Sequence, residues 1–292
     1  MRRSAAWWIV AATALLGACS GSDPSTVRFG PSATTTTSGV VAAAGGRDTT
    51  STSQPGGRRV IIVGGTDAVG GVPSSATRPG SGGPGTAAGW YLRPKESARI
   101  VVQVLTQSGA EPTAATVSRV VDVLRSASGK PVTTVGGSVT ARHDTWTDAD
   151  IRSAADASPA SATADSAVLR LLFVHGGSDK DENDAKVLGI SPRADVAAIF
   201  SDRVAASGSG LVGTDAIERA VTTHEVGHLL GLVDLFLSTG RGDKDHPHHS
   251  TNRQSVMYWA VESTLVGDLL TGGPPQEFDA ADLADLATIR RG

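Results

Sequence analysis

The feature that most restricts the fold of this chain is a long stretch, residues 20–89, composed mainly of Gly, Ser, Thr, Pro and Ala. Such a stretch buries too little apolar surface to offset the entropy lost when it is ordered, so it predicts a flexible tether. One apolar island, Val60-Ile61-Ile62-Val63, interrupts the stretch, but neighbouring glycines favour linker over a docked strand there. We therefore expect the folded domain in residues 90–292.

The N-terminus has the zones of an export signal. Two arginines follow Met1, an apolar run covers residues 7–16, and the run ends at Leu16-Gly17-Ala18-Cys19. The run is too short to span a bilayer. The last four residues resemble a bacterial lipobox. This resemblance implies that residues 1–18 are removed as a signal peptide and that Cys19 carries a lipid. Cys19 would then be the first residue of a flexible tether that covers residues 19–89. The alternative is an ordinary signal peptide with an incidental cysteine.

Composition excludes two further possibilities. A formal net charge of -3 gives no reason to expect nucleic acid as a partner, because binding of phosphate backbones needs a concentrated basic face. Cys19 is the single cysteine, so disulfides cannot hold the domain together. With aromatic residues at only 4%, the core must be packed mainly with Val, Leu, Ile and Ala.

From residue 90 onward, strand and helix patterns alternate. Runs of β-branched and apolar residues predict strands, and apolar residues at three- and four-residue spacing predict helices. The predicted strands are Arg99–Thr106, 131–135, 167–175 and 195–200, and the predicted helices are 113–126, 214–230 with Thr214 as N-cap, and 275–289. This order predicts an α/β or α+β domain of roughly 200 residues.

The long helix predicted at 214–230 carries His224-Glu225-Val226-Gly227-His228. Two histidines four residues apart project from one helix face, which is the spacing that two ligands of one zinc ion need. Glu225 would lie beside the metal, where it can accept a proton from a water molecule. Taken alone, a five-residue pattern of this kind is weak.

The residues that follow make the pattern more specific. Gly231 lies three residues after His228, and Asp234 lies three residues further on. Glycine readily adopts the left-handed conformation that ends a helix and turns the chain back. Together with Ser255-Val256-Met257-Tyr258, these residues resemble the metzincin family of zinc peptidases, in its variant with Asp as third ligand. The lipobox and this resemblance together indicate a bacterial lipoprotein, which we expect to be actinobacterial.

The resemblance implies roles for individual residues. His224, His228 and Asp234 would bind one Zn²⁺, Glu225 would be the general base, and Met257 would lie in a turn beneath the metal. The third ligand stays open, since His246, His248 or His249 could replace Asp234 if their loop folds over the helix. Glu262 as a distant ligand is disfavoured by Gly231 and Met257, and Tyr258 is expected to pack rather than to take part in catalysis.

The resemblance also implies a fold and an activity. The fold would be an α+β catalytic domain: a twisted mixed sheet, a long active-site helix, the methionine turn and a small C-terminal helical subdomain. We expect a monomeric zinc endopeptidase that a lipid anchors to the cell membrane, with the enzyme on the extracytoplasmic side. Its protein or peptide substrates would lie extended along an edge strand at 195–200. One alternative is a surface lipoprotein that binds zinc or a partner without catalysis. Another is a secreted peptidase with residues 20–89 as a pro-region.

Overall fold

The computed structural model describes residues 73, 78–182, 185–208, 212–265 and 273–292, all within the compact unit Arg59–Gly292. The predicted signal peptide, Cys19 and the apolar island at residues 60–63 lie outside the described residues. Within the described ranges, every helix is too short or too polar to cross a membrane.

The described chain alternates strands and helices. The strands are β1 (Arg99–Thr106), β2 (Val132–Ser138), β3 (Thr145–Trp146), β4 (Ser166–Val174), β5 (Gly177–Ser178), β6 (Gly189–Arg193) and β7 (Val196–Phe200). The helices are α1 (Ala88–Leu92), α2 (Ala114–Ser128), α3 (Asp148–Asp156), α4 (Ser201–Ser207), α5 (Thr214–Leu229) and α6 (Ala280–Arg291), with a 3₁₀ turn at Trp259–Glu262. Sequence analysis predicted neither β6 nor α3.

A five-stranded sheet of order β2-β1-β4-β7-β6 organises the domain. Its first four strands are parallel, and β6 runs antiparallel to β7. The sheet is therefore mixed but mainly parallel, within an α/β architecture. The strand predicted at 195–200 is not an edge strand, because β7 lies between β4 and β6. The edge on this side of the sheet is formed by β6.

Strand β4 is buried on both faces of the sheet, as its apolar run predicts. Leu171 and Phe173 belong to the larger core, which includes Val221 and Val226 of α5. Leu172 faces a second, smaller core on the opposite side of the sheet. Burial on both faces explains why this strand lacks the alternation of polar and apolar residues seen in half-exposed strands.

Helix α5 is held against α2 by a polar contact near its start. The Thr116 hydroxyl donates to Oε1 of Glu218 at 2.6 Å, and the Thr113 backbone N–H donates to the same oxygen at 2.9 Å. Thr113 is also the N-cap of α2, as its side chain accepts from the Thr116 backbone N–H. The N-cap of α5 is Gly213 rather than the predicted Thr214.

The packed domain begins before Trp90. Ala87 and Ala88 are fully buried, and the Ala194 backbone N–H donates to the carbonyl of Gly82 at 3.1 Å. The C-terminal helix α6 packs against α1 and α2 and is therefore part of the same domain as the sheet. Its start at Ala280 is later than the predicted residue 275.

Candidate metal centre

Helix α5 presents two buried histidines to one point. His224 and His228 lie one turn apart on the same face and are 0% and 7% exposed. The Nδ1 atom of His224 lies 2.7 Å from the carbonyl oxygen of Val256, and that of His228 lies 3.0 Å from the carbonyl oxygen of Leu232. A carbonyl oxygen only accepts hydrogen bonds, so both Nδ1 atoms must carry the proton.

The Nε2 atoms of the two histidines face each other. Burial, together with the neighbouring His224 and His249, lowers the pKa of His228 well below its usual value, so its ring is neutral near pH 7. A neutral ring protonated at Nδ1 has a bare lone pair at Nε2, and the Nε2 atoms of His224 and His228 lie only 3.0 Å apart. One cation beside both atoms would take the two imidazoles as ligands. Ligands about 2.0–2.1 Å from one tetrahedral metal ion would be roughly 3.3 Å apart, close to the separation seen.

Two further donors complete the group. Nε2 of His249 lies 3.1 Å from Oε1 of Glu262, and Nε2 of His224 lies 3.6 Å from its Oε2. One donor atom from each of His224, His228, His249 and Glu262 lies within 4.8 Å of the others, and these four residues are called the metal group below. Among the described residues, neither nitrogen of His249 makes a well-aligned hydrogen bond, and the nearest carboxylate is that of Glu262. Three imidazoles and a carboxylate form a donor set that fits a divalent metal ion.

Charge and burial oppose each other at Glu262. Burial acts to raise its pKa, but the imidazoles of His224 and His249 outweigh burial and hold the pKa well below the usual range. At His249, burial acts to lower the pKa, and the carboxylate of Glu262 raises it above the usual value. Glu262 is therefore ionised and faces the three histidines.

Glu225 lies fully buried beside this group, beneath the edge strand β6. Its Oε2 accepts a hydrogen bond of 2.6 Å from the Ser191 hydroxyl, and its Oε1 has no hydrogen-bond partner in the part of the chain that the structure describes. Burial, followed by the negative charge of Glu262, raises the pKa of Glu225 well above its usual value, and Ser191 opposes the shift. A buried carboxyl beside the metal group with one oxygen free of the Ser191 hydroxyl is placed to accept and return a proton.

Gly231 and Met257 position the histidines. Gly231 has a φ of 91°, and its backbone N–H donates to the carbonyl of His228 at 3.0 Å. This left-handed residue ends the helix and turns the chain, which brings the Leu232 carbonyl to His228. Met257 is fully buried, and a Cβ at Gly227 would lie 2.3 Å from its sulfur. The turn containing Met257 therefore packs directly against α5 between the two histidines.

The structure places Asp234 away from the metal group and puts His249 there instead. Oδ1 of Asp234 accepts from the backbone N–H groups of Thr239 and Gly240, and Oδ2 accepts from that of Gly242. Burial acts to raise the pKa of Asp234, but these hydrogen bonds and that from the Thr239 hydroxyl outweigh it. Asp234 is a turn-stabilising residue, and the preference for it over the loop histidines needs correction.

The other loop histidines have separate contacts. His246 stacks on Trp259 with ring centroids 4.1 Å apart and planes 2° apart. Nδ1 of His248 lies 3.3 Å from the carbonyl oxygen of Val233. Neither belongs to the metal group, so of the three alternatives only His249 reaches it. Tyr258 is 6% exposed and belongs to the main core, which agrees with a packing role.

Glu262 and Ser191 are residues of the site that the sequence did not predict. Glu262 was set aside as a ligand, yet it is part of the metal group. Its signal was an acidic residue shortly after the methionine turn. Ser191 had no readable signal, because Pro192 follows it and proline argues against a strand except at a sheet edge.

Comparisons with known proteins yield structural neighbours but no sequence family. No protein-family model matches the chain, and no curated protein matches it. Solved structures similar to it include archaemetzincin from Methanopyrus kandleri, with a TM-score of 0.46 and 16% identity, covering 66% of this chain and 96% of that one. Archaemetzincin from Archaeoglobus fulgidus, complexed with malonate, has a TM-score of 0.36 and 16% identity, covering 64% of this chain and 99% of that one.

Proposed function

We propose that this chain is a zinc-dependent metallopeptidase of the metzincin type. The observation that carries the proposal is the pair of Nδ1-protonated histidines with their Nε2 atoms 3.0 Å apart, beside His249 and Glu225. Zinc is the ion that suits buried imidazole ligands at this spacing. His224, His228 and His249 would hold it, and Glu225 would be the general base.

The chain's own residues account for the proton transfers of peptide hydrolysis. Bound zinc would supply Lewis-acid polarisation of the scissile carbonyl and would acidify a water molecule. Glu225 would take the proton from the attacking water at its free Oε1 and later deliver it to the leaving amine. Ser191 would keep the other carboxylate oxygen in place through both transfers.

Protein or peptide substrates fit the edge of the sheet next to Glu225. Within the described residues, strand β6 pairs with β7 and has no strand on its other side. A Cβ at Gly189 would contact the Glu225 carboxylate. An extended peptide added to the open side of β6 would use backbone hydrogen bonds and would lie along the base. We therefore assign substrate binding to β6 in place of the interior strand at 195–200.

The proposal is tested with the purified full chain. Zinc content is measured by elemental analysis, and cleavage of casein and of a peptide library is compared with that by Glu225→Gln. The variant should keep one zinc per chain and lose about two or more orders of magnitude in kcat, since general-base catalysis supplies that factor. Glu277→Gln, at a side chain that is 74% exposed, is the matched control and should be unaffected. Equal cleavage by wild type and Glu225→Gln would exclude the mechanism.

A non-catalytic zinc-binding surface protein is the second candidate, and Glu262 is the observation that favours it. Four protein donors around one metal form a closed site, which is typical of structural zinc. The buried Glu225 favours catalysis, because a binding site needs no base with a free oxygen. A full complement of zinc with no cleavage by any form would favour the binding function.

We also propose that the chain is exported, monomeric and tethered to the cell membrane by lipid on Cys19. The signal pattern at residues 1–19 supports this location. Labelling with radioactive palmitate in a bacterial host should mark the wild type and not Cys19→Ser. Size-exclusion chromatography with light scattering in detergent would test the monomer.

A further inference from the structure

We propose that Glu262 is an intramolecular latch: it occupies the fourth ligand position of the metal and must leave before a substrate or inhibitor can bind there. The inference rests on the proposed function, because it concerns the regulation of that same site. The latch would keep the resting enzyme latent through a residue of the enzyme's own chain.

The Glu262 carboxylate lies beside two of the histidines, where a metal ligand would lie. Its two oxygens lie 3.1 Å from Nε2 of His249 and 3.6 Å from Nε2 of His224. The longer distance exceeds hydrogen-bond range, whereas the shorter one is a carboxylate–imidazole contact within it. One donor atom from each of the three histidines and Glu262 lies within 4.8 Å of the others, so the carboxylate is placed to share a cation with the imidazoles.

The backbone around Glu262 holds the carboxylate in this position. Glu262 ends the 3₁₀ turn that follows Met257, and its carbonyl accepts from the Leu188 backbone N–H at 2.7 Å. The next residue, Ser263, forms a bridge with Val187. Glu262 is thus fastened between the methionine turn and the start of edge strand β6, where a substrate strand would enter.

Exposure distinguishes Glu262 from the other donors. The side chain of His224 is 0% exposed and that of His249 12%, whereas that of Glu262 is 31% exposed. Glu262 is therefore the donor of the metal group that solvent reaches most, and an external ligand would meet it first. A catalytic zinc site keeps one position open, so the carboxylate must be displaced for turnover.

The test uses the full chain with Co²⁺ in place of zinc, so that coordination is read from the visible spectrum without relying on cleavage. Acetohydroxamate, a small metal chelator, is titrated into wild type, Glu262→Gln, Glu262→Ala and the exposed control Glu277→Ala. An intramolecular carboxylate competes at high effective concentration, so both Glu262 variants should bind acetohydroxamate at least about tenfold more tightly than wild type. Both should also keep zinc on their three histidines and cleave peptides faster, by a similar factor.

Three results would overturn the latch. Equal acetohydroxamate affinity in wild type and both Glu262 variants would show that Glu262 does not occupy the metal. Loss of zinc from the Glu262 variants to the same extent as from His249→Ala would make Glu262 a permanent ligand. Cleavage by wild type that is unchanged in the variants would show that Glu262 does not limit turnover. If the titration differs as expected but no form cleaves, the fault lies with the peptidase assignment, and Glu262 remains a displaceable ligand.

Discussion

Gly189 on edge strand β6 lies directly against Glu225, and a Cβ at this glycine would approach Oε1 of Glu225 to 2.8 Å and its Cγ to 2.9 Å. The same Cβ would lie 2.8 Å from Cγ1 of Val221, so Gly189→Ala should displace the base and one neighbouring side chain of α5, neither of which is a metal ligand. We expect kcat to fall at least about tenfold while zinc content stays the same, because misplacing a catalytic group by 1 Å is costly. Gly136→Ala, where a Cβ would meet nothing within 4 Å, is the control. Unchanged kcat in Gly189→Ala would place the working base elsewhere.

Ser191 positions Glu225 through its hydroxyl. Ser191→Ala removes a hydrogen bond to a buried carboxylate, an interaction that contributes about 1.5–3 kcal/mol when charged. We expect kcat to fall by about tenfold or more with KM nearly unchanged, since the hydroxyl contacts the base rather than the substrate. Ser191→Thr retains a hydroxyl and should recover part of the rate. A change in KM alone would point to substrate contact instead.

Local patterns were enough to predict the first half of the site. His224, Glu225 and His228 follow from helical periodicity, and Gly231 follows from its freedom to adopt a positive φ. The third histidine did not follow, because its position depends on the path of the chain between residues 234 and 249. Asp234 stabilises a turn within that path, and such side-chain to backbone bonds are not readable from spacing alone.

In the fold, too, elements with a strong local pattern were predicted and elements that depend on distant contacts were not. Strand β1 has the predicted bounds, and strand β4 differs from prediction by one residue at each end. Strand β6 was missed because Gly-Ile-Ser-Pro-Arg has neither alternation nor strong β-propensity, and it forms only by pairing with β7. Helix α3 was readable in principle, since Thr147 and Asp150 form a capping box at its start.

Zinc affinity should respond differently to the loss of Asp234 and to the loss of His249. His249→Ala removes an imidazole from the metal group, so zinc affinity should fall by about two orders of magnitude or more. Asp234→Ala removes hydrogen bonds to the 239–242 turn and should lower the free energy of unfolding by about 1–3 kcal/mol. Its zinc should nevertheless remain near one per chain. Competition with a chromophoric chelator measures both affinities, and preferential zinc loss from Asp234→Ala would restore Asp234 as the ligand.

Lys130 gives the domain a pH-dependent stability. Its ammonium donates to the Trp90 carbonyl at 2.9 Å and to the Ser97 hydroxyl at 2.8 Å, and burial lowers its pKa to about 8. The unfolded chain keeps this proton up to about pH 10.4, so between pH 8 and 10.4 the unfolded state binds more protons. The contribution of Lys130 to the free energy of unfolding therefore rises with pH across that interval.

Urea denaturation of wild type and Lys130→Met at pH 7 and pH 9.5 isolates this effect. The stability of wild type relative to the variant should increase by about 1–2 kcal/mol at the higher pH, allowing for partial solvation of the amine. Other titrating groups are common to both proteins and cancel in the difference. A difference that is flat or falls with pH would mean that the folded amine titrates at or above its usual value.

Gly227 lies on α5 at its closest approach to the methionine turn. Alanine favours a helix over glycine by about 0.5–1 kcal/mol, so propensity alone predicts that Gly227→Ala stabilises the protein. The new Cβ would, however, lie 2.3 Å from the sulfur of Met257 and 3.0 Å from Phe278. Overpacking of a buried contact costs about 1–3 kcal/mol. We expect net destabilisation by about 1–2 kcal/mol in thermal or urea unfolding, with weaker zinc retention because His224 and His228 flank the site.

A double-mutant cycle shows whether Met257 is the cause. Met257→Ala removes the overlapping sulfur and methyl group and leaves a cavity that the Gly227→Ala methyl partly fills. The two substitutions together should therefore cost less than the sum of their separate effects, by at least about 1 kcal/mol. Strict additivity would mean that the helix and the methionine turn do not meet at Gly227. In that case the turn would support His224 only through the Val256 carbonyl, which neither substitution removes.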